Sequence, residues 1–537
     1  MISSLLPITE VARKLSLLPS QYDSLGSYGA KLHLDLLTDP SLAAHGKLIL
    51  VTATTPTTKG EGKTVVAIGL AQALERIGRR SILTSREPSL GPVFGLKGGA
   101  AGGGRSQVEP SQKINLHFFG DFHAITSAHN LLAALVDAHI FHGNELGFDP
   151  ALVTWPRALD MNDRALRHIT VSVGSKREGA NRKTSFVITA ASEIMAILAL
   201  ASNRADLRRR LDAIVVGISR AGKPITAAAL NATGAMMALL SEAILPNLVQ
   251  TSEGTPALVH TGPFANIAHG TSSVISQQMG LRLADFVVNE AGFAADLGAE
   301  KYFDIVMRSS GIAPAAAVVV TTVQSLRGQG AGTLEAGFCN LAHHVATLRR
   351  FGAPVVVAIN HFPTDTAEEL DAIAAECSRL DVPCSIVEAF AKGGEGAVDL
   401  AEKVVSAIER NPTPTIQPVY TLDESPKEKI AKVATLIYGA SGVSYSEMAL
   451  KELERIAEWG FDRLPVCIAK TQYSLSDDAH LSGAPTGWTL HVTEISLAAG
   501  AEFLVAVAGN MMLMPGLPRH PRALSIDVDE DGNITGV

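Results

Sequence analysis

The stretch Thr54-Thr-Pro-Thr-Thr-Lys-Gly-Glu-Gly-Lys-Thr64 carries the residue types that phosphate chemistry uses. Thr57, Thr58, Lys59, Gly60, Glu61, Gly62, Lys63 and Thr64 form a glycine turn that ends in Lys-Thr. Glycine lets a backbone approach closely, so the N–H groups of Gly60 to Lys63 can point at phosphate oxygens. Lys63 would then reach the outer phosphates, and the Thr64 hydroxyl would ligate Mg²⁺. The usual pattern has a first glycine where Thr57 stands. Gly-Lys-Thr also arises by chance in a chain with 47 glycines, so an ordinary strand–turn–helix joint is the competing reading.

Other residues could work beside this loop. Arg86 and Glu87 end an apolar run, Ser81 to Ser85. Gly91 to Gly104 is so rich in glycine that neither helix nor strand is expected. It reads as a backbone-lined loop close to a ligand, bracketed by Lys97 and Arg105, although a linker is the alternative. Asn115 to Asn130 gathers His117, Asp121, His123 and His129. The string suggests a metal, but no second ligand set of the zinc type is apparent, and a single histidine is more often structural. Glu290 closes another apolar run and reads equally as a water-mediated Mg²⁺ contact or as a salt bridge. Asp527, Asp529, Asp531 and Gly532 imitate a calcium loop, yet the chain ends before its bidentate Glu. A β-hairpin is the better reading.

These residues need elements to hold them. Lys47 to Ala53 reads as a buried strand before the glycine turn, and Val65 to Ile77 as the helix after it. Further strands are expected at 81–85, 169–173, 213–218, 257–259, 286–288, 316–321, 351–360, 385–390 and 464–469. Helices are expected at 8–16, 128–139 (capped by Thr126 or Ser127), 190–201, 228–240, 334–350 and 445–460. Such alternation means a parallel sheet covered by helices, in which ligands bind beyond the carboxyl ends of the strands. At 537 residues the chain is too long for one core. Divisions are expected at 1–345, 346–440 and 441–537, with Pro412, Pro414 and Pro418 marking a surface crossing.

Composition excludes several classes. A net charge of −8 argues against a general nucleic-acid surface. The longest apolar stretch, 188–201, is broken by Ser192 and Glu193 and is too short to span a bilayer. The first residues lack a basic start and a long apolar run, so no signal peptide is expected. Cys339, Cys377, Cys384 and Cys467 show no metal-ligand spacing, and reduced thiols in the cytoplasm are the default.

In order along the chain, these motifs together resemble the formate–tetrahydrofolate ligase family. The carrying segments are Thr57 to Thr64, Arg86 to Gly104, Gly120 to Asn130, Gly262 to His269 and Glu290 to Lys301. Phe362-Pro-Thr-Asp-Thr366, Lys392 to Gly396, Ala469 to Ser474 and Met514 to Pro518 complete them. The resemblance implies an α/β fold with a large domain like the P-loop NTPases, a mostly parallel, helix-covered sheet, and two smaller α/β domains. It also implies ligation of formate to tetrahydrofolate at the expense of Mg-ATP through formyl phosphate, in a homotetramer activated by K⁺ or NH₄⁺. Lys63 and Arg86 would stabilise the transferring phosphoryl group, Asp121 and His123 would lie near the reacting centre, and Glu87 would belong to the monovalent-cation or substrate region. Phe362 and Phe390 match the two aromatic positions that sandwich the folate ring; core packing is what each Phe would suggest alone.

The chain departs from that family at Phe390, where many members carry Trp, at Lys59, where the usual residue is small and uncharged, and in a shortened 326–334 stretch. Two other classes remain in play. One is a different phosphate-loop enzyme that activates a small carboxylate, which would not need the two phenylalanines. The other is a nucleotide-switched assembly ATPase, which would hydrolyse ATP without formate.

Overall fold

The computed structural model describes residues 5–96, 101–174, 179–509, 511–532 and 534–536. Lys97 and the glycines beside it, named above as one end of a ligand loop, lie outside the described residues.

Seven strands run parallel. In chain order they are β1 (Lys47–Ala53), β2 (Ser81–Ser85), β3 (Pro256–Val259), β4 (Phe286–Glu290), β5 (Ala316–Thr321), β6 (Val355–Asn360) and β7 (Cys384–Val387). In space the order is β3-β2-β4-β1-β5-β6-β7, within a sheet of twelve strands among the described residues. The sheet therefore runs through residue 345 without a break, and both β6 and β7 pair in it. Antiparallel strands at Asn247–Thr251, Ala30–Leu32 and Tyr22–Ser24 extend the β3 side.

The apolar runs form strands buried on both faces because helices cover both faces. Side chains alternate between two cores with the period of two that a strand imposes. Leu48 and Leu50 pack into one core, Ile49 and Val51 into the other. Helix α1 (Lys63–Arg76) covers the second core and helix α3 (Leu334–Arg350) the first, with helix α2 (Asp121–Phe141) also on the first. A separate four-stranded sheet forms the C-terminal part, ordered Gly442–Tyr445, Thr489–Ala498, Phe503–Ala508, Val466–Ala469.

Several expectations need correction. Helix α2 begins seven residues before the expected start at 128; its N-cap is Gly120 at φ 89°. Thr126 is no cap, because its hydroxyl donates to the Phe122 carbonyl inside the helix (2.8 Å). The expected strand 385–390 stops at Val387, and Ala389–Lys392 is a short helix, α4. Glycine richness does not keep 91–104 irregular: Leu90–Phe94 is a helical turn, and Gly102–Gly103 pairs with Ser106–Gln107. The strand Asn247–Thr251 and the antiparallel pair Thr489–Ala498 with Phe503–Ala508 are additional to those expected. The C-terminal aspartates do lie in a hairpin, Asp527–Val528 with Ile534–Thr535.

Candidate active site

Parallel pairing brings the carboxyl ends of all seven strands to one edge. Arg86 and Glu87 follow β2, Glu290 ends β4, and the glycine turn leaves β1. Thr322 follows β5, Phe362 follows β6, and Phe390 follows β7. Neighbouring strands lie about 5 Å apart, so β1 and β6, two strands away, are separated by roughly 10 Å.

The turn after β1 is shaped by its glycines. Gly60 and Gly62 have φ of 83° and 68°, the left-handed region that glycine tolerates. A Cβ on Gly62 would also sit 2.4 Å from Asn360 Nδ2. Thr57 is not among the residues with positive φ, so nothing in the backbone there requires the glycine of the usual pattern. Glu61 turns inward and is buried. Its carboxylate accepts from the Thr57 N–H (2.6 Å) and the Thr322 hydroxyl (2.5 Å). Gln324 Nε2 donates to Thr57 Oγ1 (3.1 Å), and Asn360 Nδ2 to the Glu61 carbonyl (3.1 Å). The Glu61 side chain is thus a brace, while Thr58, Lys59 and Gly60 are exposed. No side chain caps α1, which leaves its first N–H groups and its positive end available to an anion. Thr64 stands half-buried in its first turn.

Lys63 bends toward β4. Its ammonium donates to the carbonyls of Ala291 and Phe293 (the latter at 3.0 Å) and lies 3.5 Å from Glu290 Oε1. Arg86 Nη1 donates to the Pro263 carbonyl (3.0 Å), and Nη2 lies 3.9 Å from the same Glu290 oxygen. Burial lowers the pKa of Arg86 and Glu290 opposes that shift, but a guanidinium keeps its proton in proteins. Two cations meet at the Glu290 carboxylate, an arrangement that suits an anionic ligand. Gly292 allows this approach: a Cβ there would meet Arg86 Nη1 at 3.1 Å and Ala265 Cβ at 2.4 Å. Glu290 thus makes the ion pair that is one of its two readings.

Behind this group lies a buried acidic cluster. Asp121, the first residue of α2, receives Lys31 Nζ on Oδ1 and Asn247 Nδ2 on Oδ2, each at 2.7 Å. Lys31 also donates to the Leu245 carbonyl (3.1 Å). Burial raises the Asp121 carboxyl above its ordinary value, with Lys31 and Asn247 opposing. Glu87 is 3% exposed, and its Oε2 has no hydrogen-bond partner among the described residues. Burial pushes the Glu87 carboxyl well above the carboxylate range; the Asp121 charge adds to this and Lys31 opposes it. A buried carboxyl in this state either keeps its proton or takes a cation. Lys31 lies in the strand Ala30–Leu32, a buried lysine flanked by two buried apolar residues, which is the one local signal for it.

The histidine string disperses. His123 is exposed, two positions along α2 from buried Asp121 and so on the far side of the helix. His129 is buried between Ser192 Oγ (2.8 Å), the Pro156 carbonyl (3.0 Å) and the stacked Trp155 ring; burial lowers it to about 4, so it is neutral. Among the described residues no three His, Cys, Asp or Glu side chains could hold a metal ion together.

The aromatic side of the edge is open. Asn360 of β6 pairs with Val387 of β7, and the His361 N–H donates to the Val387 carbonyl (3.0 Å). Phe362 and Phe390 therefore leave adjacent strands on one edge. Phe362 is half-buried, and its N–H donates to Asp365 Oδ2 (2.8 Å). Phe390 is 60% exposed. The end of the glycine-rich segment lies against it. The Arg105 N–H donates to the Phe390 carbonyl (2.9 Å), and a Cβ on Gly104 would sit 2.1 Å from that oxygen.

No helix among the described residues is long and apolar enough to cross a membrane. The family model for formate–tetrahydrofolate ligase matches residues 2–537. A formate–tetrahydrofolate ligase of Pseudothermotoga lettingae is 50% identical over 542 residues, covering 99% of this chain and 97% of that protein. With a match over nearly every residue and half of them identical, the chain belongs to the formate–tetrahydrofolate ligase family.

Proposed function

We propose that this protein joins formate to N10 of tetrahydrofolate at the expense of Mg-ATP, by way of formyl phosphate. The supporting observation is that a phosphate-type helix start, the paired cations Lys63 and Arg86, and an exposed aromatic share one sheet edge. A formate oxygen attacks the γ-phosphorus and ADP departs. The N10 lone pair then attacks the formyl carbon, the C–O bond to phosphate breaks, and 10-formyltetrahydrofolate and phosphate are released. Phosphorylation is needed because a carboxylate oxygen is a poor leaving group. The departing phosphate can take the N10 proton.

Each residue group has a task in this account. The N–H groups of Gly60 to Lys63 hold phosphate oxygens, as in a P-loop NTPase, and Thr64 is placed to ligate Mg²⁺. Lys63 and Arg86 neutralise the transferring group; the planar fork of Arg86 can grip two oxygens at once. Glu290 keeps both cations aimed at the site between turnovers. The buried, unpartnered oxygen of Glu87 fits K⁺ or NH₄⁺, and Asp121, held by Lys31 and Asn247, keeps negative charge beside it. His123 receives no step. Phe362 and Phe390 offer flat faces to the pterin, worth roughly 0.5–1.5 kcal/mol each beyond burial. A cytoplasmic homotetramer with small-molecule substrates, and without nucleic-acid or membrane partners, completes the proposal.

The test is an assay of purified protein with ATP, formate and tetrahydrofolate, each left out in turn. Product is expected in the full mixture alone. ATP hydrolysis that ignores formate and folate would overturn the reading.

A further inference from the structure

The turn that receives Lys63 is itself held from the C-terminal sheet. Lys470 follows the strand Val466–Ala469 and is fully buried. Its ammonium donates to Asp296 Oδ2 (2.8 Å), to the Ser474 carbonyl (2.6 Å) and to the Thr471 carbonyl (3.3 Å), and lies 4.8 Å from the centre of the Tyr438 ring. Asp296 is 2% exposed. Burial alone would raise its carboxyl; Lys470, with His344 and Lys301, more than offsets that and leaves it below its ordinary value. An ion pair this deep is costly to break from one side, since the remaining charge has no solvent.

Asp296 lies in the helical turn Ala295–Ala299, directly after the Ala291-Gly292-Phe293 turn. The two are pressed together: a Cβ on Gly298 would sit 2.1 Å from the Gly292 carbonyl oxygen. Phe293 holds a φ of 57°, rare for a bulky residue and kept only where the surroundings enforce it. The Ala291 and Phe293 carbonyls are the ones that receive the Lys63 ammonium. On the other side, Thr55 at the start of the phosphate loop is bound to Asn340, whose Nδ2 also donates to the Gly483 carbonyl (2.8 Å). The loop is therefore moored to the C-terminal part on two sides.

We propose that Lys470 is a positioning residue for Lys63: by anchoring Asp296 it fixes the 291–293 turn that holds the Lys63 ammonium, and so ties the phosphate loop to the C-terminal sheet. This rests on the reading of Lys63 as the phosphate lysine, and the test separates the two. Equilibrium affinity for Mg-ATP is measured for the full chain, Lys470→Met, Lys63→Ala and the double variant. Lys470→Met is expected to weaken ATP binding about tenfold, and to do so far less, by under about twofold, once Lys63 is absent. Affinity reports only the folded fraction, so a merely structural role would lower the melting temperature and leave it unchanged. If Lys63→Ala leaves ATP binding intact, the phosphate-lysine reading falls. If Lys63→Ala weakens it while Lys470→Met does not, or if the two effects add fully, the positioning role falls. Asp296→Asn, which keeps an acceptor oxygen for Lys470, is expected to show the same pattern at smaller size and carries the comparison if Lys470→Met does not fold. Lys470→Arg, which restores the charge, should recover part of the ATP affinity.

Discussion

Lys63 and Phe390 stand on the same strand edge, three strands apart, in opposite circumstances. The side chains of Lys63 and Glu290 are 12% and 11% exposed and are tied to carbonyls and to each other. At 60% exposure Phe390 forgoes part of the roughly 1.5–3 kcal/mol that full burial of a phenylalanine is worth. In the proposed account the difference follows from the two ligands. A phosphoryl group carries charge that must meet fixed dipoles and cations, and these act more strongly when held in place before it arrives. A pterin ring is flat and apolar on its faces, and its own arrival buries the surface that awaits it.

The comparison breaks first at the charged end. Lys63→Ala is expected to abolish turnover, a loss on the order of 10³ or more in kcat, with the circular dichroism spectrum unchanged; near-normal activity would reduce the loop to a structural joint. Arg86→Lys keeps the charge and loses the fork, and a fall of about 10² in kcat is expected, read by steady-state kinetics. At the open end the effect should be smaller and of another kind. Phe390→Ala is expected to raise KM for tetrahydrofolate about tenfold and leave KM for ATP within about twofold; equal changes in both would merge the two halves into one.

The smallest effect concerns stability, away from the edge. Glu193 accepts N–H bonds from Gly500 (2.7 Å) and Ala501 (3.2 Å), and burial raises it from 4.5 to about 7. The folded state therefore holds this proton more tightly than the unfolded chain. The stabilisation is complete below about pH 4.5 and is lost as pH rises through about 7. Denaturant midpoints at pH 5 and pH 8 should fall with rising pH in the native protein and fall less in Glu193→Gln.

Much of this was legible in the sequence, for identifiable reasons. Continuous apolar runs gave β1, β2 and β5 to the residue, because strands buried on both faces need no alternation. Lys63, Arg86 and Glu290 were legible because each ends or follows such a run. What stayed hidden depends on contacts far along the chain. Lys31 and Asp121 are 90 residues apart, and no local pattern joins them. The inward turn of Glu61 needs Thr322, and the early start of α2 rests on Gly120, whose left-handed φ is invisible in a string of polar and aromatic residues. The exposure of Phe390 has no local signal either, since a phenylalanine closing an expected strand reads as core, and only the family resemblance points the other way.

The central claim is that formate is activated by phosphorylation at the charged end before the folate at the open end accepts it. Its most direct test is turnover with ¹⁸O-labelled formate, followed by mass analysis of the inorganic phosphate. The account predicts one ¹⁸O atom in each phosphate released, carried over when the formyl carbon–oxygen bond breaks. Phosphate without label would contradict it.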